Sequence, residues 1–145
     1  MGEISALLDA LTDAISSQDE ERVLRCFGTD AVFVTPAGVM EGHEQIGWYF
    51  RQLFTAFPDM HNETTTRTVL DDTIVVEWTF SGTHTGVLLL PGGTEITGTG
   101  RRVVFPAAGA YTMGDDGVFA SGRVYYDQLA FYRQTGCDLR LRRAV

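Results

Sequence analysis

Asp127 stands where a strand gives way to a helix. It follows Arg123-Val124-Tyr125-Tyr126 and precedes Gln128-Leu129-Ala130-Phe131-Tyr132-Arg133, with Gly136 as a stop. A carboxylate at such a junction has two uses. It can cap the helix by accepting from free backbone N–H groups, which lowers its pKa. Or it can turn into whatever the sheet encloses, where apolar surroundings raise its pKa toward the range useful for proton transfer. Position alone leaves both open. Arg123 and Tyr125 share the strand parity of Asp127, so the three occupy one face. On that face Arg123 either meets a buried carboxylate or an anionic substrate group, or points to solvent.

His84 is the second candidate for proton chemistry. It sits in Gly82-Thr83-His84-Thr85-Gly86, where it either lines the mouth of a pocket at a strand end or is an exposed turn histidine. Trp48, Tyr49, Trp78, Phe80 and Tyr111 are large aromatics at helix or strand spacing. Such residues mostly pack a core, and they also line any pocket the core leaves open. With Arg123 and Tyr125 they make up the candidate substrate contacts.

Other chemistries are disfavoured by the residues. All eleven basic side chains are arginine, so no lysine exists for a Schiff base. His43, His61 and His84 lack metal-ligand spacing, and no metal site is expected. Gly98-Thr99-Gly100 lacks the strand-to-helix context of a phosphate loop. Cys26 and Cys137 are isolated and are expected to be reduced thiols of a cytoplasmic protein. A net charge of -8 and a pI near 4.7 argue against nucleic acid or an anionic membrane as partner. There is no apolar run of membrane-spanning length and no basic-then-apolar start that would read as a signal peptide.

The elements that must position these residues can be read in order. Ile4, Leu7, Leu8, Leu11 and Ile15 predict an amphipathic helix over Glu3–Ser16. Asp19 caps a short second helix, with Val23, Leu24 and Phe27 on its apolar side and Gly28 as its end. Ala31–Thr35 is a short strand, stopped at Pro36-Ala37-Gly38. A third helix runs from about His43 to Ala56 on a stripe of Ile46, Phe50, Leu53 and Phe54, and Phe57-Pro58-Asp59 breaks it. The period then becomes two. Strands are expected over Met60–Leu70, Thr73–His84 and Arg102–Met113, with a final one from Phe119 to Tyr126. Asp71-Asp72 and Gly114-Asp115-Asp116-Gly117 are the turns. Pro106 implies a bulge or an edge in its strand. Ile74, Val76, Trp78, Phe80 and His84 share one face. Helices first and a long antiparallel meander after give an α+β domain, one unit over 1–145, with a basic tail from about 137.

Four segments together resemble the SnoaL-like polyketide cyclases of the nuclear transport factor 2-like superfamily. They are Gly42-His43-Glu44-Gln45-Ile46 opening a helix that ends in Phe57-Pro58-Asp59; Trp78 with Gly82-Thr83-His84-Thr85-Gly86; the strand from Arg102; and Tyr125-Tyr126-Asp127-Gln128-Leu129. The resemblance implies a cone-shaped α+β barrel, a curved antiparallel sheet wrapped around three N-terminal helices. It implies intramolecular aldol condensation without a cofactor, on a small hydrophobic or aromatic, polyketide-like ligand. The residue matching the family's general acid–base is Asp127. Homodimers are expected of such cones.

This chain also departs from the family. The strand over 102–113 holds no acid, whereas relatives often carry one near Gly109, and Gly122 and Arg123 replace frequent pocket residues. The missing acid weighs against an epoxide-hydrolase reading, which needs two carboxylates. Thr35, at the position of a ketosteroid isomerase base, cannot serve as one. Three readings therefore stand: a cyclase using Asp127 with His84 or a tyrosine as donor, a cofactor-free hydroxylase of a polyketide, and a non-catalytic small-molecule-binding or dimerisation module.

Overall fold

The computed structural model describes residues 2–90 and 92–144. Helix α1 (Gly2–Ser16) buries Ile4, Leu8, Leu11 and Ile15, the stripe its spacing predicts. Asp19 caps α2 (Glu20–Arg25), its carboxylate accepting from the Arg22 N–H at 3.1 Å. The second helix ends earlier than expected, and Gly28 belongs to the strand that follows. Helix α3 (Gly42–Ala56) buries Ile46, Phe50 and Phe54. Its N-terminus is closed by Gln45, whose side-chain oxygen accepts from the Glu41 N–H at 2.8 Å. Pro58 then excludes helical geometry at Phe57, which ends the helix with φ -129° and ψ 75°.

The strands are β1 (Phe27–Thr35), β2 (Gly38–Glu41), β3 (His61–Leu70), β4 (Thr73–Thr83), β5 (Leu88–Leu89), β6 (Glu95–Ile96), β7 (Arg102–Met113) and β8 (Phe119–Tyr126), and α4 (Gln128–Gln134) follows. Six of them form one sheet in the order β2-β1-β8-β7-β4-β3, while β5 and β6 make a separate small hairpin. The expected antiparallel meander holds for β3-β4-β7-β8. The pair β1-β8 is parallel, which the sequence did not suggest. Parallel neighbours need a long crossover, and here almost the whole domain supplies it.

Pro106 is neither in a bulge nor on an outer strand. β7 lies between β4 and β8, and its register with β4 runs unbroken from Arg102 to Thr112. The β8 pairing, however, begins only at Ala107. Pro106 therefore occupies a locally unpaired stretch on the β8 side, where a missing N–H costs little.

The concave face of the sheet carries Ile74, Val76 and Phe80 from β4, Val103, Phe105 and Tyr111 from β7, Phe119 and Val124 from β8, and Phe33 from β1. These close on α1 and α3 in one apolar core. Two glycines on this face are filled by neighbouring rings. A Cβ on Gly122 would stand 2.9 Å from both Phe33 and Tyr111, and one on Gly109 would stand 3.1 Å from Tyr111 and 3.2 Å from Trp78. The space that an acid near Gly109 would need is thus taken by the Trp78 and Tyr111 rings. Missing bulk at two positions and large aromatics at two others are one packing solution.

Candidate functional site

Three spaces between sheet and helices share lining residues. The inner one has a volume of about 60 Å³ and is lined by Phe33, Tyr49, Asn62, Trp78, Phe80, Phe105, Tyr111, Tyr126 and other apolar residues. An outer vestibule of about 110 Å³ lies between Trp48 and Gln52 of α3, the β5 hairpin at Leu88, Leu89 and Leu90, and Tyr132 of α4. Tyr49, Leu53, Tyr126 and Phe131 line both and form the neck between them. On the other side a cleft of about 30 Å³ against Leu8, Leu11 and Thr12 of α1 shares Ile15, Asn62, Trp78 and Tyr111 with the inner chamber.

The inner chamber is apolar except for three phenols, one carboxamide and the Trp78 indole. No carboxylate, arginine or imidazole is among its described lining residues. Burial pushes the Tyr49, Tyr111 and Tyr126 phenols well above the ordinary tyrosine range, and the neighbouring tyrosines push Tyr49 and Tyr126 further. They therefore stay protonated at any physiological pH and serve as hydrogen-bond donors rather than bases. Gln128 holds the outer wall, its side-chain N–H donating to the Tyr132 hydroxyl at 2.9 Å and to the Pro36 carbonyl at 3.2 Å.

The residues singled out from sequence divide into two groups. Tyr49, Trp78, Phe80 and Tyr111 line the inner chamber, and Trp48, 45% exposed, lines the vestibule. Arg123, Tyr125 and Asp127 do share a face, as parity requires, but it is the outer one. All three are exposed and none is among the lining residues. Asp127 is the N-cap of α4, its carboxylate accepting from the Ala130 N–H at 3.0 Å. The one-residue offset matters, because Val124 and Tyr126 turn inward where Arg123 and Tyr125 turn out. Tyr126 and Asn62 were not singled out in the sequence. The signal for Tyr126 was its parity with Gly122 and Val124. Asn62 lies in a threonine-rich strand, Asn62-Glu63-Thr64-Thr65-Thr66, that carries no contrast of its own.

His84 is neither at a pocket mouth nor in an exposed turn. It is fully buried, its ring 5.6 Å from that of Phe57 and its Nδ1 3.1 Å from the Thr99 hydroxyl. Its Nε2 is buried without a hydrogen-bond partner among the described residues. The glycines around it have a packing purpose. Gly86 lets the chain approach the Thr55 and Ala56 backbone, and the Thr85 and Gly86 N–H groups donate to the Ala56 carbonyl at 3.1 and 3.2 Å. The motif thus clamps the end of β4 onto the end of α3.

Burial pushes the His84 pKa below the ordinary histidine value, against smaller opposing effects from the Gly86 and Ile96 backbone. The unfolded chain, with a histidine near 6.5, therefore binds more protons than the native state between the two pKa values. Stability from this group is complete above about pH 6.5 and declines as pH falls through the folded-state value. Denaturant midpoints between pH 7 and pH 5 should show this decline, and His84→Gln should flatten it. An equal slope in the variant would assign the decline to other groups.

Cys26 and Cys137 are both free thiols. Among the described residues no three His, Cys, Asp or Glu side chains converge as metal ligands, and no helix is long and apolar enough to cross a membrane.

Comparison with known proteins places these features in context. The SnoaL-like domain family matches residues 8–121. Among solved structures, a candidate SnoaL-like polyketide cyclase from Jannaschia sp. CCS1 superposes with a TM-score of 0.82 at 21% identity, over 94% of each chain. TsrD from Streptomyces laurentii gives 0.78 at 25% identity, over 92% of this chain and 95% of its own. TerC, co-crystallised with polyporic acid, gives 0.73 at 19% identity, over 94% of this chain and 100% of its own. No curated protein matches the sequence.

Proposed function

Because the chain belongs to the SnoaL-like domain family, we propose that it binds a compact, uncharged ring compound bearing a carbonyl oxygen and polarises that carbonyl with phenols. One observation carries this reading: an interior apolar chamber whose polar lining is tyrosine and asparagine, with no charged side chain among its described residues. Such a chamber rejects ions, since an unpaired charge there would lose its hydration. It accepts flat apolar rings, and protonated phenols can donate to a carbonyl or to the enolate formed from it. The chamber is small, about 60 Å³, and it opens through the neck onto the vestibule, so a compact ring that reaches from one into the other fits better than a large fused-ring ligand. Met60, also on the lining, supplies an adaptable wall. TerC, a structural neighbour at 19% identity, was co-crystallised with polyporic acid, which supports a small-molecule ligand for this fold.

Tyr49→Phe and Tyr126→Phe test it. Each removes a hydroxyl and keeps the ring. With a panel of cyclic ketones and quinones followed by protein-observed NMR, each variant should lose roughly 2- to 10-fold in affinity, the net value of one hydrogen bond. Unchanged affinity in both would show that the phenols only pack.

A second reading has one observation in its favour. Asp127 directly follows the neck residue Tyr126, which makes it the carboxylate next in sequence to the lining. On that reading Asp127 is the acid–base group of an aldol-type cyclase.

A further inference from the structure

Asn62 presents an anomaly within the chamber. Its side-chain oxygen is shielded from solvent and has no hydrogen-bond partner among the described residues. Asn62 is the second residue of β3, paired across the ladder with Phe80, and it turns inward where His61 and Glu63 turn out. It lines both the inner chamber and the cleft against α1, as do Trp78 and Tyr111. It therefore marks the deep end, opposite the neck at Tyr49 and Tyr126. An orphaned buried acceptor costs free energy that an apolar side chain of the same shape would avoid.

We propose that Asn62 is a specificity-determining residue that accepts a hydrogen bond from a hydroxyl at the deep end of the bound ring. The inference rests on the chamber being a ligand site, as proposed above, and adds a chemical requirement to it. At the deep end the Asn62 oxygen is an acceptor without a partner among the described residues, and the Tyr111 phenol, which burial keeps protonated, is a donor on the same lining. A hydroxyl both donates and accepts, so it satisfies this pair; a carbonyl oxygen satisfies only the phenol. The ligand class is accordingly a hydroxylated ring, its hydroxyl against α1 and its carbonyl toward the neck. Selection by a buried acceptor is stronger against a ligand lacking the donor than apolar contact alone can achieve.

Phenol and toluene, alike in shape and different in one donor, test the assignment when titrated into the whole protein and followed by NMR. The wild type should prefer phenol by about tenfold, of the order of one well-made hydrogen bond. Asn62→Leu, close in shape and without the acceptor, should abolish that preference by weakening phenol, and its melting temperature should stay level or rise. Equal binding of the two probes by the wild type would overturn the role of Asn62 while leaving the chamber a ligand site. So would a preference that survives in Asn62→Leu, or a marked fall in its melting temperature, which would mean the oxygen already had a partner. Binding of neither probe at millimolar concentration would overturn the chamber reading and this inference together.

Discussion

Phe57→Ala should destabilise the protein by about 3–5 kcal/mol, the range for removing a fully buried aromatic ring from a core that cannot collapse around the gap. Phe57 is 0% exposed. Its ring lies 5.4 Å from Phe80 of β4, 5.6 Å from His84 and 5.7 Å from Phe131 of α4, measured between centroids. Its backbone is engaged as well. The N–H donates to Leu53 at 2.9 Å and ends α3, while the carbonyl accepts from the Met60 N–H and from the Gln18 side chain, both at 3.1 Å. Gly82 is flat against the ring, because a Cβ there would come within 3.2 Å of it. The turn between α1 and α2, the end of α3, the rim of the sheet and α4 therefore meet at one residue. Urea unfolding checks this through a lower midpoint at unchanged slope. A loss below about 1 kcal/mol would mean that the neighbouring rings close the cavity. The effect should reach the chamber too, because Phe80 and Phe131 also line it.

Phe57 also shows how much the sequence disclosed. Phe57-Pro58 marks a helix end by sterics alone, and the 3.6-residue stripe before it and the two-residue alternation after it identify helix and sheet without any partner in view. Local signals of this kind placed α1, α3, β3, β4 and β7 nearly to the residue. They did not reveal β2, a four-residue strand after a turn, or the parallel pairing of β1 with β8, because pairing between distant segments leaves no local trace.

The site was legible to the same limited extent. Parity groups Arg123 with Tyr125 and Asp127, and Gly122 with Val124 and Tyr126, but does not say which group faces inward. Burial decides that, and the glycine-bearing group won because Tyr111 and Phe33 fill the space above Gly122. His84 looked chemical in sequence because histidine is rare and titratable. Its surroundings are Phe57, Thr99 and the α3 terminus, so its visible role is to clamp one element to another.

On the second reading, in which Asp127 is the acid–base group, Asp127→Asn should fold with the stability of the parent and lower any turnover by about 10²–10⁴-fold, the usual contribution of such a group. The substitution separates two roles that one carboxylate can play. Asn and Asp cap helices about equally well, so the bond to the Ala130 N–H, 3.0 Å in length, has a replacement and α4 should remain formed. Only proton transfer is removed. The chamber makes the test informative, because its described lining holds phenols that stay protonated and no other base. If the reaction needs a proton removed beside a carbonyl, the carboxylate must come from outside the lining, and Asp127 is joined to it through Tyr126. Tyr126→Phe in the same assay should cost less, roughly tenfold, because a phenol that only donates contributes a hydrogen bond to the transition state and not the proton transfer itself. The ranking of the two variants is thus the decisive measurement. A severe loss in Asp127→Asn with a mild one in Tyr126→Phe makes the aspartate catalytic. Full turnover in Asp127→Asn leaves it as the cap of α4 and assigns the chemistry to the phenols.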